Sequence, residues 1–465
     1  MAVIHGKIAI IGAGISGLAT AWRLQKLGYD VTLLEKESRT GGVIKSEWIN
    51  GYLCEHAANE IQLKSEEMEL MLQEIGLGEA ICQENPNAKN RYIVKKGKLL
   101  KVPSGPFGFL LTPLFSVRGK FRLFLEPFIA PYKGDDESVA HFVKRRLGQD
   151  FLDYAIAPLV SGVCAGDPSR VSFRHQFPRL WVVEDTYGSL VGGMIRRMRE
   201  HKKKGIKRYK YKLITFADGI EQLPKALSKH LDGKIHLNAE VTSIENDPWK
   251  ISWKSNGKTF EERFDAVVSA IPAYAYPELP LPDKLHELLA ELKGIEYAKL
   301  STVITGIDQT QVAHKLDGFG FLASPKASCS TLGTIFSSSL FEGRAPKGKV
   351  HLVTFVGGCT KPKEALLSEE NIQQIVRADL EQLLGVSGAF ELFQRNTWEH
   401  ALPQYNVGHS YYINTIEAAE RRFKGFFLTG NFRGGAGVGD VILNASKTAY
   451  RVDEYLEQKE NQPSS

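Results

Sequence analysis

The sequence predicts an α/β fold, with a parallel-sheet unit opening the chain, a mainly helical segment in its middle and strand-rich segments after it. Three observations carry this expectation. The apolar run KIAII at 7–11 is bounded by glycine, and after a helical stretch a second run, VTLLE, follows at 31–35; continuous apolar strands are those buried on both faces of a parallel sheet. Between Tyr92 and about Lys212 the texture changes to aromatic and proline-rich loops with apolar residues at helical spacing. From 234 onward short strand-like runs return, several of them alternating apolar and polar residues.

Taken in order, Leu18, Ala21, Trp22, Leu24 and Gln25 form one helical face that stops at Gly28, so the opening reads as β-α-β. The middle segment places helices near 121–128, 139–147 and 151–160. Strands are expected at 234–245, 265–272, 301–307, 318–324, 331–338 and 350–358, and their alternation favours antiparallel pairing. A helix at about 370–384, a strand at 425–431, a glycine-rich turn and a C-terminal helix to about Glu457 complete the reading.

Composition narrows the function classes. At roughly 150 residues per domain, 465 residues suggest about three units, and 43% hydrophobic with 24% charged residues is ordinary globular usage. Five cysteines, an odd count without a C-x-x-C pair, speak against a disulfide framework or zinc ribbon and for a reducing compartment. The twelve histidines show no ligand spacing, so no metal is expected. The first residues run straight into a strand and leave no room for a secretory signal. The uncharged stretch 102–117 is too short and too broken by Pro103, Pro106 and Pro113 to cross a bilayer. The net charge of +6 hides a basic run at 196–212, where ten Lys or Arg stand against Glu200 alone. Nucleic acid, anionic lipid and plain solvated surface are all open to such a run, but no nucleic-acid module surrounds it.

The strongest motif is Gly12-Ala13-Gly14-Ile15-Ser16-Gly17, set between the first strand and the first helix. Gly12 permits the tight turn, Gly14 lets a pyrophosphate approach the backbone, and Gly17 allows close helix–strand packing. The helix N-terminus then presents unpaired N–H groups and a positive dipole to phosphate. Glu35 ends the second strand, placed to accept hydrogen bonds from ribose hydroxyls and to repel a 2′-phosphate, which disfavours NADP. Two further pieces select FAD over NAD: Arg39-Thr40-Gly41-Gly42, with Arg39 expected near the pyrophosphate, and Gly430-Asn431 followed by Gly434, Gly435, Gly437 and Gly439 ahead of the last helix. That helix would aim its N-terminal dipole at a reduced flavin.

Joined together, these pieces resemble the flavin monoamine-oxidase-like superfamily and, within it, the oxygen-dependent protoporphyrinogen oxidases, most of all their plant mitochondrial form. The segments that carry the resemblance are NRYIVKKGKLLKVPSGP (90–106), APLVSGVCAGDPSRVSFRHQFPRLW (157–181), TLGTIFSSSLFEGRAP (331–346), TFVGG (354–358), WEHALPQY (398–405) and GNFRGGAGVG (430–439). The resemblance implies a Rossmann-like FAD domain of glutathione-reductase type, a mixed-sheet substrate domain and a helical membrane-associating insertion. The expected division is an FAD domain in three parts (1–91, 213–275 and 401–465), a helical membrane-associating segment (92–212) and a substrate domain (276–400).

Residue by residue, the resemblance implies that Arg91 pairs with a substrate propionate, that Phe355 stacks on a pyrrole ring, and that Leu322 and Ile335 sandwich another; Ile335 stands where plant forms have leucine. Taken alone, the three apolar residues would read as core strand positions. Around FAD it implies roles for Ile15, Ser16, Lys36, Gly42, Val43 and Val438, for Ala57, Ala58 and Asn59 at a turn usually led by glycine, for Val241 at the adenine and for Trp398 near the isoalloxazine. No catalytic acid or base is assigned. The implied partners are a tetrapyrrole, oxygen and peripheral membrane lipid, with no nucleic acid and a homodimer left open. The implied location is cytoplasmic, on the inner face of a membrane. An amine oxidase, a carotenoid desaturase, a coproporphyrinogen oxidase or a flavin-bound carrier would share the flavin motifs.

Overall fold

A computed structural model describes residues 6–205, 209–231 and 233–461. Five short strands form a wholly parallel sheet in the order Ile235–His236, Asp30–Leu34, Lys7–Ile11, Ala266–Ser269 and Phe426–Leu428. Strand residues alternate between two separate cores. Ile8, Ile10, Val31, Leu33 and Val268 pack with helices Ile15–Lys26, Glu66–Glu74, Gln222–His230 and Val438–Glu460. Ala9, Ile11, Leu34, Val267 and Phe426 pack on the other face, against the meander Ala239–Glu245, Trp249–Ser255 and Lys258–Phe264. Both faces are covered, which is why these strands read as unbroken apolar runs.

The expected strand 234–245 is two strands in different sheets. Asn238, at φ +50°, turns the chain between Ile235–His236, which edges the parallel sheet, and Ala239–Glu245, which starts the meander. Asparagine tolerates this left-handed conformation better than other non-glycine residues.

A seven-stranded sheet runs in the order Leu392–Trp398, Leu300–Asp308, Lys349–Gly357, Thr331–Ile335, Gly318–Ala323, Asn90–Lys95 and Lys98–Lys101. All neighbours are antiparallel except Gly318–Ala323 with Asn90–Lys95, which are parallel, so the expected antiparallel pairing holds within this sheet for every pair but one; the expected strand 265–272 departs from it, because Ala266–Ser269 lies in the parallel sheet. One face is covered by helix Glu369–Leu384 through Ile372, Val376 and Leu380. Because Asn90–Lys101 forms a hairpin of this sheet, the helical segment begins near Gly105, later than the expected Tyr92.

Helices Val139–Arg146, Ala157–Cys164, Pro178–Tyr187 and Leu190–Lys203 build a third core around Phe142, Val143, Phe173 and Val183. Within it Arg146 is fully buried and fully paired. Its guanidinium donates to Glu184 Oε1 (2.6 Å), Glu126 Oε1 (3.0 Å), the Ile129 carbonyl (2.8 Å) and the Gly188 carbonyl (2.8 Å). Glu126 in turn accepts the Leu190 N–H at 2.8 Å and the Ser189 hydroxyl at 2.7 Å, which ties the start of the Leu190 helix to the network. Buried charges persist when geometry satisfies them this completely.

Among the described residues no helix is long and apolar enough to cross a membrane. Part of the basic run, 206–208, lies outside the described residues. All five cysteines are free thiols.

Candidate active site

The first strand ends at Ile11 and the first helix starts at Ile15, so Gly12 to Gly14 make the connecting turn. Gly12 sits at φ +99°, and a Cβ on Gly17 would drive into the Gly12 carbonyl oxygen. Only glycine therefore lets this helix lie so close to its strand. Nothing lies within 4 Å of where a Gly14 Cβ would stand. Gly14 caps the helix without any side-chain hydrogen bond, which leaves N–H groups directed into open space.

Glu35 is buried at the end of the second strand, where Oε2 accepts the Ala13 N–H at 2.7 Å and Oε1 the Glu37 N–H at 2.9 Å. Each carboxylate oxygen keeps a second acceptor site for a hydroxyl. Arg39 works on its own loop: it donates to the Thr40 and Ile44 carbonyls at 3.1 Å and to the Gly42 carbonyl. The Gly41 N–H reaches the Ala13 carbonyl at 2.8 Å, so the loop is sewn onto the glycine turn with Gly42 against Gly14.

The C-terminal turn arrives at the same place. Helix Val438–Glu460 starts at Gly437, again with no side-chain cap. Segment 56–59 is pinned from the sheet, because the His56 carbonyl accepts both Trp398 Nε1 and Thr302 Oγ1 at 3.2 Å. Behind it Asn59 Oδ1 is buried without a donor.

The seven-stranded sheet supplies the other half. In one cross-strand row Arg91 pairs with Gly320 and Gly320 with Ile335; in the next, Leu322 pairs with Gly333, Gly333 with Phe355 and Phe355 with Thr302. Residues two apart on a strand share a face, so Arg91, Ile335, Leu322 and Phe355 surround a floor made of two glycines. Neither glycine is replaceable cheaply: a Cβ on Gly320 would strike the Thr334 carbonyl oxygen, and one on Gly333 would lie 2.5 Å from the Phe321 carbonyl oxygen. Arg91 is exposed, lies 5.3 Å from the Phe319 ring centroid, and forms no ion pair with any described residue.

Both halves open into one cavity of about 1490 Å³. Of the positions named from the sequence, it is lined by Gly12, Gly14, Ile15, Ser16, Glu35, Lys36, Arg39, Gly42, Val43, Ala57, Ala58, Asn59, Arg91, Val241, Leu322, Ile335, Phe355, Trp398, Gly430, Asn431, Gly437 and Val438, whereas Gly17, whose role is packing, and Thr40, Gly434, Gly435 and Gly439 stand outside the lining. Among the described residues, Lys36, Arg39 and Arg91 are the cationic ones in the lining. Two uncapped helix N-termini, an open glycine cradle, a buried carboxylate with free acceptor sites and an orphaned amide oxygen form a donor and acceptor set that fits an extended FAD.

Sequence reasoning passed over Tyr405, Thr302, Gly320, Gly333 and Glu60. Thr302 and the two glycines gave no local signal, because their importance comes from register between distant strands.

Comparison with known proteins agrees with this geometry. The family described as flavin containing amine oxidoreductase matches residues 15–453. The chain is 34% identical to protoporphyrinogen oxidase 2, chloroplastic/mitochondrial, of Arabidopsis thaliana over 99% of its length and 96% of that protein. It is 27% identical to coproporphyrinogen III oxidase of Bacillus subtilis (strain 168), over 94% of this chain and 95% of that one. A crystal structure from Exiguobacterium sp. 255-15 superposes with a TM-score of 0.78 at 25% identity, covering 97% of this chain and 99% of its own.

Proposed function

Because the chain belongs to the flavin containing amine oxidoreductase family, we propose that it carries out the FAD-dependent six-electron oxidation of protoporphyrinogen IX to protoporphyrin IX, with oxygen as acceptor and hydrogen peroxide as by-product. It is an FAD enzyme, and FAD when bound supplies the two-electron acceptor for each of three turns.

The observation that carries the substrate choice is the sheet-side chamber, where, among the described residues, one guanidinium, Arg91, stands with Leu322, Ile335 and Phe355. Arg91 pairs one propionate bidentately, Phe355 stacks on a pyrrole ring, and Leu322 with Ile335 hold another. Lys36 follows Glu35 directly and Arg39 lies four residues after it, so both belong to the nucleotide half. Protoporphyrinogen brings two propionates, whereas coproporphyrinogen III brings four. Extra carboxylates left unpaired in this chamber would cost several kcal/mol, which favours the two-propionate substrate by orders of magnitude in kcat/KM. Coproporphyrinogen III is the second reading, favoured by the Bacillus subtilis relative.

Interfacial membrane attachment belongs to the same proposal. Phe107 is 84% exposed and Phe128 86%, and Leu111, Val117, Phe121 and Phe124 are exposed with them on neighbouring short helices. A basic helix, Leu190–Lys203, belongs to the same helical unit. Apolar side chains beside lysine and arginine suit the headgroup region of an anionic cytoplasmic leaflet.

The test is turnover of the FAD-loaded protein with each porphyrinogen, following porphyrin fluorescence, oxygen uptake and peroxide. Protoporphyrinogen should be strongly preferred; comparable kcat/KM for both substrates would overturn the assignment.

A further inference from the structure

Glu60 stands on the wall of the cavity without a partner. It immediately precedes strand Ile61–Leu63, whose Gln62 pairs with Leu213, while Ile61 pairs with Ile214. Ile61, Leu63 and Ile214 face the core, whereas Gln62 and Leu213 line the cavity. Two residues before Gln62, Glu60 shares that cavity-facing side. Leu213 packs in one cluster with Ile335 and with Phe319, the ring under Arg91, so this face adjoins the proposed substrate chamber. In the other chain direction Glu60 adjoins Ala57, Ala58 and Asn59, the segment pinned through His56 on the proposed flavin side.

The Glu60 side chain makes no hydrogen bond or ion pair with any described residue, and its Oε2 is closed to solvent. The charged groups acting on it are Arg344 and Glu55. These two already satisfy one another: Arg344 donates to Glu55 Oε1 at 2.9 Å and to Thr215, and Glu55 also accepts the Ile220 N–H at 3.0 Å. Arg91 and Glu84 are the charged residues lining the cavity beside Leu213 and Phe319. Burial pushes the Glu60 carboxyl up to about 7, with Arg344 opposing and Glu55 assisting. A carboxyl of that kind changes protonation in the range where a general base works best.

We propose that Glu60 is the proton acceptor of the oxidation, an inference that rests on the porphyrinogen reading of the site. In each two-electron turn the substrate loses a hydride from a meso carbon and a proton from a pyrrole N–H, and a C=N bond forms; over the three turns one further meso hydrogen shifts to nitrogen by imine–enamine tautomerisation, which leaves the product with four meso C–H and two N–H bonds. FAD held in the cavity would supply the acceptor for the hydride. The N–H bond breaks toward the Glu60 carboxylate, where an O–H bond forms. Dioxygen then takes up two electrons and two protons as hydrogen peroxide; one proton derives from the hydride and the other returns from Glu60, which restores the carboxylate. The unpaired acceptor at Glu60 suits a macrocycle that carries four N–H donors.

The test uses the holoenzyme with Glu60→Gln and Glu60→Asp, after measuring bound FAD by absorbance. In wild type, anaerobic bleaching of the flavin by protoporphyrinogen should rise with pH through a transition near 7, because the carboxylate is the active form. Glu60→Gln should slow bleaching on the order of 10²-fold and flatten the profile, and Glu60→Asp should keep a transition. Infrared difference spectra should show a protonated carboxylic acid in wild type that titrates over the same range and is missing in Glu60→Gln. Wild-type rate and pH profile in Glu60→Gln would overturn the proposal, and so would the absence of that infrared signal from wild type even if neither variant folds. Failure of every porphyrinogen to bleach the wild-type flavin would overturn the functional reading itself.

Discussion

Tyr405 donates its hydroxyl hydrogen to the Asn431 carbonyl oxygen at 2.6 Å, and the Tyr405 hydroxyl oxygen itself accepts the Gly435 N–H at 2.9 Å. A single buried phenol therefore closes the glycine-rich turn ahead of the last helix, and the His409 ring stacks on its face with centroids 4.5 Å apart. Tyr405→Phe would strand a buried carbonyl and a backbone N–H while keeping the ring. An unsatisfied buried polar group costs roughly 1–3 kcal/mol. Titration of apoprotein with FAD should show binding weakened by about 10- to 100-fold, with the far-ultraviolet circular dichroism unchanged.

Arg91→Ala should act mainly on KM. Loss of a charged hydrogen bond costs about 1.5–3 kcal/mol, and a propionate contact that is equal in ground and transition states changes KM without changing kcat. Steady-state kinetics with protoporphyrinogen check this, and an unchanged KM would remove Arg91 as the anchor.

Acid should loosen the protein through His409. Burial, with His175 beside it, holds this imidazole down at about 4, against an ordinary value of 6.5. The unfolded chain therefore binds more protons than the folded one between those values, and stability falls as pH drops from about 6.5 toward 4. The contribution is of order 3 kcal/mol. Burial with Arg344 nearby lowers His351 to about 3, in the same direction. Thermal unfolding of the holoenzyme should give a Tm that is level at neutral pH and declines across that window, with FAD released as the turn behind His409 loosens.

Membrane attachment has a charge test. Lys202, Lys203, Lys204 and Lys210 are exposed, and each basic residue near an anionic surface is worth about 1 kcal/mol. Changing all four to Glu should cut partitioning into phosphatidylserine vesicles by 100-fold or more at low salt and much less at high salt, as measured by sedimentation. Unchanged partitioning would reject the electrostatic part of the attachment.

The β-α-β opening was legible in the sequence because its physics is local. A glycine turn, a helix that stops at Gly28 and an acid ending the second strand all lie within some thirty consecutive residues, and each is dictated by backbone sterics or by burial on two faces. Arg91, Leu322, Ile335 and Phe355 were legible only through resemblance, since three of them look like ordinary core residues. Tertiary structure alone decided that they share one face: Arg91 meets Gly320 across a parallel pair more than two hundred residues apart in sequence, and Leu322 meets Phe355 through Gly333. Strand register is set by long-range pairing, and a slip of one residue would turn each side chain to the opposite face. The same holds for Glu60, a plain acidic residue in sequence that the fold buries without a partner while Arg344 is bound to Glu55.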